Sequence, residues 1–432
     1  MWVERAARAN PEQAAVETPA GRVSYAELGE RAQGARAALA ERGVEPGDRV
    51  AIALPPGVDF AVSLHGCFVL GARAQPVDLR LSPEERRART RGAALTVEAP
   101  LPPAPAPGGQ GQPGPALAGG IATVMHTSGT SASPKRVELT YANWEAAAAG
   151  SARAIGLDPG ERWLCALPLA HVGGLSILIR SAIYGTTAVV HERFEVPDVL
   201  RALREDGITV VSLVPTMLAR LLDSGLERPP ALRCALLGGA PAPPALLERA
   251  AAAGVPVAQT YGLTEACSQV TTSPPGEAET AGAPLPGVRL EIAADGEVLV
   301  AGPTVAPGAL AADGRLHTGD QGRLDERGRL TVTGRKADTI VSGGENVAPA
   351  EVEAALLGHP CVADAGVYGR RDPDWGEAIV AVVVARAPVD EEALRAYVRT
   401  SLASYKVPKA IRFAEALPRT ASGKLLRRAL AD

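Results

Sequence analysis

The chain of 432 residues is too long for one ordinary hydrophobic core, and 46% hydrophobic with 21% charged residues describes a globular protein of two or three domains. A net charge of −4 excludes bulk electrostatic attraction to nucleic acid or to an anionic membrane surface. The five cysteines (Cys67, Cys165, Cys234, Cys267, Cys361) fit no metal-ligand spacing and are expected as buried thiols in a reducing cytoplasm.

"MWVERAARANPEQ" carries charge where a signal peptide needs an apolar core, and runs such as "VSLHGCFVLGA" are shorter than a membrane span. "DRVAIALP" (48–55) reads as a buried strand and "GVDFAVSLHGCFVLGA" as a helix packed on a sheet. "LSPEERRARTR" starts a helix, with Ser82 as N-cap, Pro83 at the first helical position and Glu85 closing a capping box. Residues 97–119 are Pro- and Gly-rich, as a linker or surface loop would be; the Gly109-x-Gly111-x-x-Gly114 spacing inside them lacks the strand and helix of a dinucleotide site. "GIATVM" is a strand followed by "HTSGTSASPKR" (126–136) and then a helix-like stretch. "ITVVSLV", "ALRCALLGG" and "VPVAQTYG" are strands separated by helices "PTMLARLLDSG" and "PPALLERAAAAG". That βαβαβ order specifies a mostly parallel sheet, whose ligands sit at the strands' carboxyl ends. After about residue 282 the pattern becomes short β segments, and the last hundred or so residues read as a small α+β domain.

Several loops carry residues suited to chemistry. "HTSGTSASPKR" offers hydroxyls at Thr127, Ser128, Thr130 and Ser131, free backbone at Gly129, and a point charge at Lys135, a set suited to polyphosphate. It is not a Walker A loop, because Pro134 and Arg136 stand where that motif needs Gly and Ser/Thr; a plain polar turn would look similar. Gly238, Gly239 and Ala240 end one strand where backbone can approach a flat ligand. "TYGLTEACSQ" ends the next with an aromatic ring at Tyr261, Gly262, a hydroxyl at Thr264 and a carboxylate at Glu265 suited to a hard divalent cation. A core tyrosine and a helix-start acid are the alternative there. Asp320, beside a glycine after a strand, suits vicinal hydroxyls or an ordinary type I turn. Lys424 lies in a Gly-Ser turn, a solvated basic tail otherwise.

Taken in order, "TSGTSASPK", "GGAP", "YGLTE", "TGD", "TGR", "SGGEN" and "SGK" resemble the adenylate-forming superfamily of acyl- and aryl-CoA synthetases over nearly the whole chain. The resemblance implies an α/β fold. Residues 1–334 would form a large ATP- and acid-binding domain of mostly parallel sheets flanked by helices, with a small β-barrel-like part. Residues 335–432 would form a small mobile α+β domain. It implies ATP, Mg²⁺ and CoA as cofactor and co-substrates, and a small carboxylic acid as substrate. Thr127 to Lys135 would wrap the β- and γ-phosphates, Gly238 to Ala240, Tyr261 and Gly262 the adenine, and Asp320 and Arg335 the ribose. Thr264 would meet the α-phosphate, Glu265 the Mg²⁺, and Lys424 the reacting carboxylate, while Gly343 and Gly344 would line the thiol's path.

Departures from the family pattern are Ala132 and Arg136 in the phosphate loop, where Gly is usual, and Ala337 at the hinge. His171 is expected to begin an acyl-pocket loop as a gate, with Gly173 and Gly174 making room behind it; a core histidine is the other possibility. No Asp occurs between 171 and 180 to meet an α-amine, which argues against an amino-acid substrate. "HVGGLSILIRSAIYG" with "GGAPAPPALLERA" and "YGLTEACSQVTT" resembles the branch serving menaquinone biosynthesis, which acts on an aromatic acid with two carboxylates and a keto group. Ser176, Thr264, Ser268 and Gln269 are the donors expected in its pocket and Arg180 a cation for it, unless that arginine is structural. Another aryl or short-chain acid, a carrier-protein thiol as acceptor, and a nucleotide-binding scaffold without turnover are the alternatives. A dimer of identical subunits is the default expectation.

Overall fold

The computed structural model describes residues 1–102, 120–127, 135–342, 344–420 and 425–431. Its largest sheet has nine strands, in the order Ala283–Pro284, Ser268–Thr272, Val257–Leu263, Cys234–Leu237, Val210–Leu213, Arg162–Cys165, Thr187–Val190, Ala14–Thr18 and Gly21–Ser24. From Val257–Leu263 to Ala14–Thr18 all pairings are parallel, and antiparallel strands close both edges. Val210–Leu213, Cys234–Leu237 and Thr187–Val190 are buried at every position. That is why they are almost wholly apolar, with Thr187 and Ser212 the two hydrogen-bonded exceptions: helices cover both faces, so no face needs polar residues. The crossover helices Pro215–Asp223 and Pro244–Ala252 both begin on proline, whose missing N–H costs nothing in a first turn.

A second sheet of five strands runs Leu95–Val97, Arg49–Ile52, Arg73–Pro76, Ile121–His126 and Arg136–Thr140, parallel except for the last pair. The helix Pro83–Thr90 beside it is capped as its sequence dictates: the Glu85 amide donates to Ser82 Oγ (3.2 Å) and the Ser82 amide to Glu85 Oε2 (2.8 Å). The segment after the hydroxyl-rich loop is a strand, not the start of a helix. Val137 and Leu139 alternate with exposed Arg136 and Glu138 on a strand antiparallel to Ile121–His126, and the helix Tyr141–Ile155 begins only after it.

Arg289–Ile292, Glu297–Ala301, Leu316–Leu324 and Leu330–Arg335 form a four-stranded antiparallel sheet. The remaining sheet joins Ile340–Ser342, Glu345–Val347, Val362–Asp372, Gly376–Ala385 and Ala410–Phe413 and is covered by helices Pro349–Leu357 and Glu391–Arg399. Its core, including Val352, Val367, Val383 and Leu394, is built wholly from residues 340–411. Four of the five thiols are buried and none is paired. No helix among the described residues is long and apolar enough to cross a membrane.

Candidate active site

The carboxyl end of Val257–Leu263 meets the antiparallel sheet at one buried carboxylate. Asp320, 5% exposed, accepts from the Tyr261 phenol through Oδ2 (2.8 Å) and pairs through Oδ1 with Arg335 Nε (2.7 Å). Asp320 and Arg335 are register partners on neighbouring strands, so the pair is set by backbone pairing before any ligand arrives. Burial and the adjacent Asp320 carboxylate push the Tyr261 phenol far above its ordinary range, so it remains a donor. The Arg335 side chain is 43% exposed and open to a ligand. Three residues expected on one nucleotide are thus in contact. Asp320 does not follow a strand, however; it lies inside the nine-residue strand Leu316–Leu324, directly after Gly319 at φ +69°. The left-handed glycine turns the chain locally without ending the strand.

Thr264–Ala266 is a single 3-10 turn. Glu265 is half-buried; its carbonyl accepts from the Ala306 amide (2.8 Å), while its carboxylate has no ion pair or hydrogen bond among the described residues. The next two residues, Cys267 (φ +54°) and Ser268 (φ +90°), are non-glycine residues in left-handed backbone. Such conformations cost about 1–3 kcal/mol each and cluster at functional sites, and no local sequence signal announced them. This bend folds Ser268–Thr272 back so closely that a Cβ on Gly262 would lie 1.7 Å from the Ser268 carbonyl oxygen. Gly262 is therefore required by the hairpin itself. Gly238 is similarly constrained by the neighbouring strand, since a Cβ there would meet Thr260 Cγ2 at 2.8 Å. Gly239 takes φ +82°, and Ala240 follows it, exposed.

The stem of the hydroxyl-rich hairpin is closed by the Thr127 amide donating to the Lys135 carbonyl (3.0 Å), with Lys135 exposed. Ser128, Gly129, Thr130 and Ser131 lie outside the described residues, as do Gly343 and Lys424. Gly344, exposed at φ +83°, forms the turn between Ile340–Ser342 and Glu345–Val347.

His171 does not begin a loop. It is the N-cap residue of the helix Val172–Tyr184, and Gly174 sits in the first turn because a Cβ would come within 2.5 Å of the Pro168 carbonyl oxygen. Two residues not singled out from sequence hold the His171 ring. Arg80 forks onto Asp78 (2.8 and 2.6 Å), and Arg80 Nη2 lies 3.4 Å from His171 Nε2, with Asp78 Oδ2 at 3.8 Å. Burial lowers the His171 pKa; Asp78 opposes that and Arg80 adds to it. A guanidinium only donates, so the imidazole accepts through Nε2. The clue available in sequence was position alone: Asp78 and Arg80 follow the carboxyl end of Arg73–Pro76.

The expected pocket donors sort into two groups. Ser176 is buried and donates to the Gly173 carbonyl of its own helix (2.9 Å), and Gln269 is spent on protein partners, so neither is a free donor. Ser268 and Thr264 are half-buried beside the bend. Gln269 Oε1 instead holds Arg180 Nη1 (2.6 Å), and Gln269 Nε2 donates to Thr272 (2.7 Å). Arg180 is 0% exposed and lies 5.9 Å from the Trp163 ring centroid. Its Nε and Nη2 have no partner, and no acid pairs with it among the described residues. Burial pushes its pKa down. Two donors without an acceptor among the described residues are costly for a buried cation.

The chain matches the model for the AMP-binding enzyme over residues 3–99 and 90–310, and that for the AMP-binding enzyme C-terminal domain over 351–424. It belongs to the AMP-binding enzyme family. A relative in this family, the 2-succinylbenzoate–CoA ligase of Bacillus licheniformis, is 39% identical, with 99% of this chain and 98% of that protein covered. The 2-succinylbenzoate–CoA ligase of Bacillus subtilis is 38% identical over 100% of this chain and 97% of its own. Among solved structures of AMP-binding enzymes, the o-succinylbenzoate coenzyme A synthetase of Bacillus subtilis in complex with ATP and magnesium ion superposes with a TM-score of 0.91 at 37% identity, covering 100% of this chain and 99% of that one. MatB of Rhodopseudomonas palustris with ATP bound gives 0.87 at 26% identity, covering 100% and 98%. Membership accounts for the order of the motifs along the chain and for the α/β architecture that brings Tyr261, Asp320 and Arg335 together.

Proposed function

We propose that this chain is an AMP-forming acid–CoA ligase that activates o-succinylbenzoate for menaquinone biosynthesis in the cytoplasm. The observation that carries the nucleotide half is the buried Asp320 carboxylate, which holds Tyr261 and Arg335 in one fixed cluster at the carboxyl end of the parallel strands. In the first half-reaction a substrate carboxylate oxygen attacks the α-phosphorus of ATP, the bond to the β-phosphate oxygen breaks, and pyrophosphate leaves. In the second, the CoA sulfur attacks the acyl carbon and AMP leaves.

Asp320 and Arg335 orient the ribose, Tyr261 lies against the base, and Thr264 meets the α-phosphate. Thr127 to Lys135 enclose the β- and γ-phosphates, and Lys424 offsets the charge brought together as the carboxylate approaches. Mg²⁺ supplies further charge neutralisation when bound. Glu265 fits it, since an unpaired, half-buried carboxylate is what a phosphate-held Mg²⁺ takes from a protein. His171, held neutral by burial and Arg80, stands at the acyl channel. Arg180 receives the second carboxylate of the acid. Residues 1–334 and 335–432 are the two units whose relative rotation exchanges Lys424 for Gly343 and Gly344 between half-reactions.

The test is pyrophosphate release with ATP, Mg²⁺ and CoA, comparing o-succinylbenzoate with benzoate, 2,3-dihydroxybenzoate, acetate and octanoate. Preference for o-succinylbenzoate is expected. Preference for another acid would overturn the substrate, and no turnover with any acid would overturn the ligase itself.

A further inference from the structure

The ribose cluster is supported from behind by a second carboxylate that no substrate would touch. Glu297 opens the strand Glu297–Ala301 and is 7% exposed. Its Oε1 accepts from the Gly319 amide at 2.9 Å, and Gly319 is the φ +69° residue that sets the direction of Asp320. Its Oε2 takes Lys336 Nζ at 3.3 Å, with His317 Nδ1 at 3.6 Å. Lys336 also reaches Asp295 Oδ2 at 2.5 Å and directly follows Arg335, the partner of Asp320. Burial pushes the Glu297 carboxyl up, but the Gly319 amide and Lys336 together hold it below the usual range, so it is charged at neutral pH.

Geometry explains why a carboxylate stands here. A left-handed glycine inside a strand leaves its amide out of the regular ladder, and a buried amide without an acceptor costs about 1–3 kcal/mol. Glu297 supplies that acceptor, and the same side chain ties the following residue, Asp320, to the turn Lys336–Asp338 that leads into the C-terminal sheet. A further bond closes the same corner: Thr339 Oγ1 donates to Gln321 Oε1 at 3.1 Å.

We propose that Glu297 is a positioning residue for nucleotide recognition, fixing the Asp320 carboxylate on the ribose hydroxyls by holding the Gly319 amide, with Lys336 as its counter-ion. The proposal rests on the assignment of Asp320 to the ribose. Its consequence is selective: Glu297 matters for a nucleotide with both hydroxyls and not for one lacking them.

The experiment measures kcat/KM for ATP and for 2′- and 3′-deoxy-ATP in acid-dependent pyrophosphate release. Wild type, Glu297→Ala, Glu297→Gln and Asp320→Asn are compared. Wild type prefers ATP, and Asp320→Asn loses that preference. Glu297→Ala reduces it by about tenfold, the scale of one charge-assisted hydrogen bond. Glu297→Gln, whose amide oxygen still accepts from Gly319, keeps the ratio within about twofold, because only the counter-ion is lost. Should Glu297→Ala not fold, the ratio is read on Glu297→Asp, whose carboxylate is one methylene too short for the Gly319 amide. An equal loss of kcat/KM for all three nucleotides in the Ala or Asp variant would mean a merely structural role and overturns the inference alone. A wild type that does not distinguish ATP from the deoxynucleotides overturns the ribose assignment and this inference together.

Discussion

Arg180→Met separates structure from function most sharply. The guanidinium is fully buried and leaves Nε and Nη2 without partners, a deficit of roughly 2–6 kcal/mol at about 1–3 per unsatisfied donor. Against that stand one charged hydrogen bond to Gln269, worth about 1.5–3 kcal/mol, and the Trp163 face, worth up to about 2. The two ranges overlap almost entirely, so replacement by an apolar side chain of similar length shifts stability by a few kcal/mol at most, in either direction. Activity behaves differently. If the second carboxylate of the acid pairs with Arg180, removing the cation costs about 3–5 kcal/mol, or roughly 10²–10⁴ in kcat/KM for o-succinylbenzoate. Benzoate, which has no second carboxylate, should lose far less. The assay pairs thermal melting with kcat/KM for both acids. Equal loss for the two acids, or a collapse in melting temperature, would refute the role and make Arg180 a structural residue.

Glu265→Gln is expected to leave the melting temperature unchanged, because the carboxylate has no protein partner among the described residues, while raising the Mg²⁺ concentration needed for half-maximal activity; an unchanged metal titration would count against it. Lys424→Ala should abolish acid-driven pyrophosphate release yet leave CoA transfer from a pre-formed acyl-adenylate intact, and equal loss of both half-reactions would remove Lys424 from the first. Burial drives the His65 imidazole down from 6.5 to about 4. The folded state therefore binds fewer protons than the unfolded one in that window, and stability, full above pH 6.5, falls as pH drops towards 4 by up to about 3 kcal/mol. His65→Leu should flatten that share of the slope in denaturant titrations and leave the share of His126, also lowered to about 4; an unchanged slope would mean the His65 ring is charged in the folded protein.

Local patterns in the sequence were enough for what local physics decides. The capping box at Ser82 and Glu85, the proline-started helices at Pro215 and Pro244, and the apolar strands between them all formed as written. Tyr261 and Asp320 were legible as chemistry and Arg335 only through the family resemblance, while the strand around Asp320 was not legible, because a glycine inside a strand reads locally as a turn. The short strand Arg136–Thr140 was lost between a polar loop and a helix, with only Val137 and Leu139 to mark its buried face. Side-chain pairings across long separations had no local trace. Arg180 and Gln269 are 89 positions apart and Arg80 and His171 are 91, so Gln269 read as a free donor when it is the partner of an arginine.

The polar residues of the site divide by whether the protein has already satisfied them. Asp320 is bonded to Tyr261 and Arg335, and Glu297 to Gly319 and Lys336, so under the proposed function the surface for the sugar is set before ATP arrives. Orientation is then settled in the folded state and need not be drawn from binding energy. The Glu265 carboxylate and the Nε and Nη2 of Arg180 have no protein partner among the described residues, and the two groups have opposite sign. Under the proposed function, ATP brings its phosphates with a cation to Glu265, and the acid brings its second carboxylate to Arg180. On that reading Glu265 and Arg180 select for what the substrates carry, while the satisfied residues fix only where they are held. Discrimination among acids should therefore follow Arg180 rather than any residue of the ribose cluster.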